Sequence, residues 1–425
     1  MNNRLEEAIQ LIENGNHSAG LDILESVSKI GNDEDKRTIS EIYYELGLID
    51  RALAILEELM FQYPDHGELF AFAAECYSEL GKEEEAIDML TEIKEEDDAF
   101  VQAQLLLADI YQSQGLDEVA EQKLLNAIKL TPDEPLLQFG LGEFYLSRGD
   151  YLQSIPYFKK VIHQGDLVHN EAINPYLRIA EAFSTTGEFE EALDYYKKGL
   201  DVKEDINSLF GYGYTALQVE DFETAVKQFL KLKNLDPSYT TLYPYLGRAL
   251  RSLNRYEEAL NVLNEGIKND EFNEELYLEM ATTQFTTGNM ELGKDYLQKV
   301  IAINPSNMTA VKELLMYFQQ REDYEEALEL LSFLEDFGEY DPIFERYKAK
   351  ALYEEDDLHG AMKAYDAALH EITDDEKLIE EAANAFLEGG EKEKGINLLK
   401  KLISMNPDRV DIEERIHELN TDVGF

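Results

Sequence analysis

Small and large apolar residues alternate along this chain in a beat that returns about every thirty-four residues. Ala52, Ala86 and Ala120 keep that interval, and after one short insertion the beat resumes through Ala192, Ala225, Ala259, Ala327 and Ala361. Ser154, Gly293 and Gly395 fill the other beats, so every occupant is small, and twelve units fit when a shortened first one around Ala19 is counted. Four residues after the beat stands a large side chain, as at Leu90, Leu124, Phe158, Tyr196, Phe229, Leu263, Leu331, Tyr365 and Leu399. That spacing places hole and knob one turn apart on a single helical face. Five residues before the beat, Gly47, Gly81, Gly115, Gly149, Gly187, Gly288 and Gly390 predict a helix end and a turn at positive φ. Twelve residues after it, Pro64, Pro132, Pro237, Pro305 and Pro407 predict the stop of a second helix. Each unit is therefore a helical hairpin that cannot bury its apolar face without its neighbour.

Departures from the beat carry their own expectations. Gly293 and Gly395 should weaken their helices by roughly 0.5–1 kcal/mol relative to alanine, leaving those units locally softer. The interval from Gly149 to Gly187 is thirty-eight residues, and the added stretch reads HQGDLVHNEAINP, from His163 to Pro175. An insertion between hairpins changes how the next unit stacks, so a bend or hinge is expected there, and Pro156 should kink the helix before it. This divides the chain into an N-terminal arm (1–166, units one to five) and a C-terminal arm (167–409, units six to twelve). Residues 410–425 remain as a capping helix and tail, in which Ile412, Ile416 and Leu419 form the apolar stripe of DIEERIHELN.

Leu107, Ala108, Tyr111, Gly115, Ala120, Leu124, Ala127 and Pro132 together resemble the signature of the tetratricopeptide repeat, and the resemblance covers nearly the whole chain. It implies an all-α fold: an α-solenoid of about twelve hairpins in a right-handed superhelix, with the first helix of each unit lining a concave surface. It also implies that the side chain following the small interior position of that helix projects into the groove. In the first units that series is Glu41, Glu75, Asp109, Glu143 and Glu181, with Glu45 and Glu79 one turn further on. Beyond them it becomes Tyr214, Arg248, Thr282, Met316, Lys350 and Asn384, with Phe210, Arg251, Phe285, Lys312, Arg346 and Tyr353 beside it. Charged members of this set, together with Tyr214, are candidate protein-binding residues. Its aromatic members fit groove and interhelical packing equally well.

Charge narrows the partners. Acidic residues outnumber basic ones 89 to 38 in 425 residues, a net charge of −51, which excludes the basic patch that nucleic acids require and repels anionic membranes. No apolar run reaches membrane-spanning length, and a soluble, cytoplasmic protein is expected. The single cysteine, Cys76, allows no internal disulfide and reads as a small packed side chain. Seven histidines are scattered without the spacing of a helical zinc motif, and His163, His169 and Asp166 in the insertion are the nearest approach to a metal set. Phosphate-cradling loops and nucleophile elbows are lacking, so neither catalysis nor a cofactor or metal is expected. The chain reads as a noncatalytic scaffold or adaptor that grips a protein partner in its groove, the N-terminal arm favouring a basic segment. A peptide-sensing regulator is the alternative, though no DNA-binding helix-turn-helix accompanies the repeats. The family's carboxylate clamp uses lysine and asparagine where the first arm carries acids, which disfavours an acidic chaperone tail.

Overall fold

The computed structural model describes residues 3–165 and 173–421, and their regular structure is entirely helical. Contacts group the chain into two compact units, Met1–Val219 and Glu220–Phe425. The first unit contains α1 (Asn3–Glu13), α2 (His17–Ile30), α3 (Asp33–Glu45), α4 (Ile49–Gln62), α5 (Gly67–Glu79), α6 (Glu83–Thr91) and α7 (Phe100–Ser113). It continues through α8 (Asp117–Leu130), α9 (Pro135–Ser147), α10 (Tyr151–Gln164), α11 (Pro175–Thr186), α12 (Phe189–Val202) and α13 (Ile206–Gln218). The second holds α14 (Phe222–Leu235), α15 (Leu242–Ser252), α16 (Tyr256–Asn269), α17 (Glu274–Thr286), α18 (Met290–Ile303) and α19 (Met308–Arg321). It ends with α20 (Tyr324–Asp336), α21 (Pro342–Glu354), α22 (Leu358–Glu371), α23 (Glu376–Glu388), α24 (Lys392–Met405) and α25 (Val410–Thr421). Among the described residues, α1–α12 form six hairpins and are followed by α13 in the first unit, while in the second α14 precedes five hairpins, α15–α24, and the single helix α25, in keeping with the α-solenoid the period predicts.

One turn recurs inside the hairpins. The seven glycines singled out by the period all have positive φ, between 69° and 85°. The next amide donates back to a carbonyl five residues earlier, as Leu48 does to Tyr43 (2.8 Å) and Glu188 to Phe183 (2.9 Å). Where glycine is missing, Glu220, Asn254, Glu322 and Asp356 adopt the same left-handed conformation, at 59–63°. Backbone geometry is thus fixed by the repeat, and these four residues carry its strain of about 1–2 kcal/mol each.

The beat residues are buried. Ala52, Ala86, Ala120, Ser154, Ala192, Ala225, Ala259 and Ala361 are fully enclosed, as are Phe158, Phe229 and Leu399 among the large residues that follow the beats. In the first pair the beat falls on Gly20 rather than Ala19, because Gly20 is the buried one and Gly15 supplies the positive φ five residues earlier. Gly293 and Gly395 also differ from expectation. A Cβ on Gly293 would lie 2.5 Å from the Phe285 ring, and one on Gly395 2.6 Å from Leu387. Their hydrogens make room for a neighbour, so the lower helix propensity comes with a packing contact that alanine would break.

Across the insertion, Ile155 and Phe158 of α10 share a core cluster with Ile179 and Ala182 of α11, and α10 runs uninterrupted through Pro156. Residues 166–172, on which the arm boundary and the expected hinge depend, lie outside the described residues. At the C-terminal end, Ile412 packs with Ile379, Ala383, Leu399 and Leu402, and the Arg409 guanidinium forks onto Glu380 at 3.0 and 3.1 Å. The last hairpin is thereby covered. First helices of successive pairs approach each other in both units (α5–α7, α9–α11 and α11–α13; α15–α17, α19–α21 and α21–α23), while second helices show no comparable approach among the described residues. Each unit therefore curves with its odd-numbered helices on the inner side.

Candidate docking surface

Five odd-numbered helices of the first unit each carry a carboxylate one residue beyond a buried small side chain: Ser40, Ala74, Ala108, Gly142 and Ala180 precede Glu41, Glu75, Asp109, Glu143 and Glu181. Their environments diverge. Glu41 lies 3.4 Å from Arg37, which also reaches Glu68 at 2.9 Å. Glu75 accepts the Gln102 amide at 3.0 Å. Asp109 is exposed to solvent, yet surrounding protein desolvates it enough to raise its pKa. Exposure together with desolvation is what a concave wall produces. Glu45 and Glu79 are exposed, and the Tyr44 phenol is raised first by burial and then by the charges of Glu79 and Glu75. Among the described residues, neither these two acids nor Asp109 has a cationic partner.

Glu143 and Glu181 are different, because Arg178 stands between them at 2.9 and 3.2 Å. Burial raises Glu143 above the ordinary carboxylate range, and the guanidinium works against that shift. Both acids line a cleft of about 620 Å³ over α9, α11 and α13, with Phe139, Leu177 and Tyr196 as its apolar contribution. Tyr196 is pushed up to about 12 by burial and by Glu181.

The cations expected in the later groove are engaged within the chain. Arg248 (2.6 Å) and Arg251 (3.1 Å) close on Glu279, which is only 5% exposed. Lys312 reaches Asp341 at 2.9 Å, Arg346 pairs with Asp375, and Lys350 with Glu354. Asp341 and Asp375 are the N-caps of α21 and α23, so Lys312 and Arg346 tie one first helix to the start of the next. Exposed pairs of this kind contribute about 0.2–1 kcal/mol each. The Glu279 cluster is the exception, since breaking a buried pair leaves an uncompensated charge at a cost of about 3–5 kcal/mol. Asn384 accepts from Arg415 of α25.

Phe285 and Tyr353 pack against core clusters, which makes them interhelical side chains in the first place. Phe210 stacks with half-buried Tyr214 at 6.4 Å between ring centroids. Met316 remains 48% exposed. Cys76 is fully buried and its thiol is pushed up to about 11 by desolvation. No metal-ligating group occurs among the described residues; Asp166 and His169 lie outside them. No described helix is long and apolar enough to cross a membrane.

Sequence reasoning missed Arg178, Glu279 and Glu313. Arg178 precedes Glu181 by three residues, a visible helical ion-pair spacing. Its second partner, Glu143, lies on another helix and becomes evident only from the fold.

Hairpins of this period, with a small buried beat and first helices on the inner side, define a tetratricopeptide-repeat solenoid. Tetratricopeptide-repeat models match residues 43–110, 173–206 and 274–307, and YpiA-like models match residues 112–166 and, as C-terminal repeats, 342–409. The chain belongs to the YpiA-like tetratricopeptide-repeat family, being 38% identical over 98% of both chains to TPR repeat-containing protein YpiA of Bacillus subtilis (strain 168). Lipopolysaccharide assembly protein B of Escherichia coli (strain K12) is 24% identical over 52% of this chain and 59% of its own. Among solved structures, YrrB, described as a TPR protein with an unusual peptide-binding site, aligns with a TM-score of 0.41 at 17% identity over 45% of this chain and 96% of its own.

Proposed function

We propose that this chain is a noncatalytic scaffold that holds a protein partner along the inner walls of its helix stack, with the N-terminal arm favouring a basic segment. The observation that carries this reading is the set Glu45, Glu79 and Asp109: exposed acids on three successive first helices, without a cationic partner among the described residues. Glu75 lies between them with only an amide as its partner. A lysine- or arginine-rich segment laid across α3, α5 and α7 meets several carboxylates at once, and each such contact contributes about 0.2–1 kcal/mol. Capture should therefore be cooperative in charge and weakened by salt. Glu143 and Glu181 play a lesser part because Arg178 already occupies them.

The test is capture of cellular proteins by the full chain at low and high salt, alongside the triple variant Glu75→Lys, Glu79→Lys and Asp109→Lys. These positions avoid the Arg178 pairs, so helicity should persist while salt-sensitive capture is lost. Retrieval of the same proteins by the triple variant would refute the acidic-arm reading.

A further inference from the structure

The inner wall of the second unit carries a depression unlike any of its charged stretches. It has a volume of about 310 Å³, at the low end of small-molecule sites and suited to one or two side chains. Phe285, Met290, Met316 and Tyr317 form its apolar lining, and Thr282, Thr286, Glu313 and Gln320 complete it. Most of its polar groups are already committed. Thr282 and Thr286 donate to carbonyls of their own helix, at 2.9 and 2.8 Å, and the Tyr317 hydroxyl donates to Glu291 at 2.8 Å. Met290 and Met316 remain 46% and 48% exposed, although flexible thioethers usually fill gaps in cores and in adaptable binding surfaces.

Glu313 stands at this depression without an ion pair or hydrogen bond among the described residues. Burial, and next the charge of Glu279, raise its pKa, with Arg251 opposing. Because Arg251 is itself committed to Glu279, the Glu313 carboxylate is a desolvated charge with no counterpart of its own. An occupant that is apolar in the middle and cationic beside it satisfies both features.

The geometry points to a docking site for an exposed aliphatic side chain, such as leucine, flanked by lysine or arginine in an extended or helical segment of a partner protein. The aliphatic group enters between Met290 and Met316, and the neighbouring cation meets Glu313. This rests on the reading that the inner wall is the docking face, and it adds an apolar selectivity that the acidic arm does not supply.

Three fluorescein-labelled peptides test it by anisotropy on the full chain: Gly-Lys-Lys-Leu-Lys-Lys-Gly, the same peptide with serine for leucine, and Gly-Ser-Ser-Leu-Ser-Ser-Gly. Burying the leucine should give the first peptide about a tenfold advantage over the second. Replacing the lysines should lower affinity severalfold. Met316→Ser with Met290→Ser should bring the leucine-to-serine ratio close to one, and Glu313→Gln should reduce lysine dependence while keeping the leucine preference. Equal binding of the first two peptides, a preference that survives both methionine replacements, or no binding of the first peptide overturns the proposal. So does a concentration-dependent dimer that the methionine replacements abolish, since the depression would then hold a second copy. The Glu75, Glu79 and Asp109 reversal separates this failure from that of the acidic arm. It should lower capture of basic segments without changing the leucine-to-serine ratio.

Discussion

Replacing Gly293 with alanine sets two effects of opposite sign against each other. Helix propensity favours alanine inside α18 by roughly 0.5–1 kcal/mol. The new Cβ would lie 2.5, 2.6 and 2.7 Å from three ring atoms of Phe285, where carbon atoms ordinarily sit about 3.5–4.0 Å apart. The ring must retreat by about an ångström, and it is backed by Tyr317 at 6.0 Å between centroids. Overpacking of this kind costs about 1–3 kcal/mol. The net expectation is destabilisation by about 0.5–2 kcal/mol, read as a lower urea midpoint with an unchanged slope in far-ultraviolet circular dichroism. In a Phe285→Leu background the collision is relieved, and the same substitution should become neutral or stabilising. A higher midpoint for Gly293→Ala in the otherwise native chain would refute the packing argument and restore the propensity argument alone.

Further outcomes follow from the same geometry. Asn254→Gly, Glu322→Gly and Asp356→Gly each relieve a left-handed residue and should raise stability by about 0.5–1 kcal/mol after the added freedom of the unfolded chain is subtracted; urea midpoints check this. Cys76, buried with a thiol pushed up to about 11, should resist labelling by thiol reagents at neutral pH until the protein is unfolded, and rapid labelling of the native chain would contradict its packing. Burial, and next the charge of Glu279, raise Glu313 in the folded protein above its ordinary value, so ionising it is less favourable there than in the unfolded chain. Its contribution to stability is full below the unfolded pKa and is lost as pH rises through the folded one. Glu313→Gln should remove that part of the slope in urea midpoints measured over roughly pH 4–7.

The architecture was legible because the repeat writes the same physical demand many times. A buried beat, a large residue one turn later and a left-handed turn can be read from Ala120, Leu124 and Gly115 alone, and the structure repeats them. Where the turn residue changed, nothing in the residue types of Glu322 or Asp356 points to positive φ; that conformation is imposed by the flanking helices. In the first hairpin the beat falls on Gly20, one residue past the expected Ala19, because two adjacent small residues leave the register open until burial is known. Charges were legible as residue types and as positions in a frame, but not as partners. Lys312 and Arg346 sit at groove positions, yet each reaches an N-cap aspartate some thirty residues later, which only the stacking brings near. Likewise Arg178 neutralises two of the five stripe acids through one contact within its helix and one between helices. Among the described residues, the stripe acids without cationic partners are Glu45, Glu75, Glu79 and Asp109, and finding them required knowing where every nearby cation goes.

Site-specific photo-crosslinking in living cells addresses the inner-wall claim most directly. A photoreactive amino acid is placed at Asp109 on α7 in one strain and at exposed Gln122 on α8, a second helix, in another. Docking along the inner wall predicts discrete protein adducts from position 109, suppressed by Glu75→Lys with Glu79→Lys, and few or none from position 122. Equal adduct patterns from both positions, or adducts from position 122 alone, would contradict it.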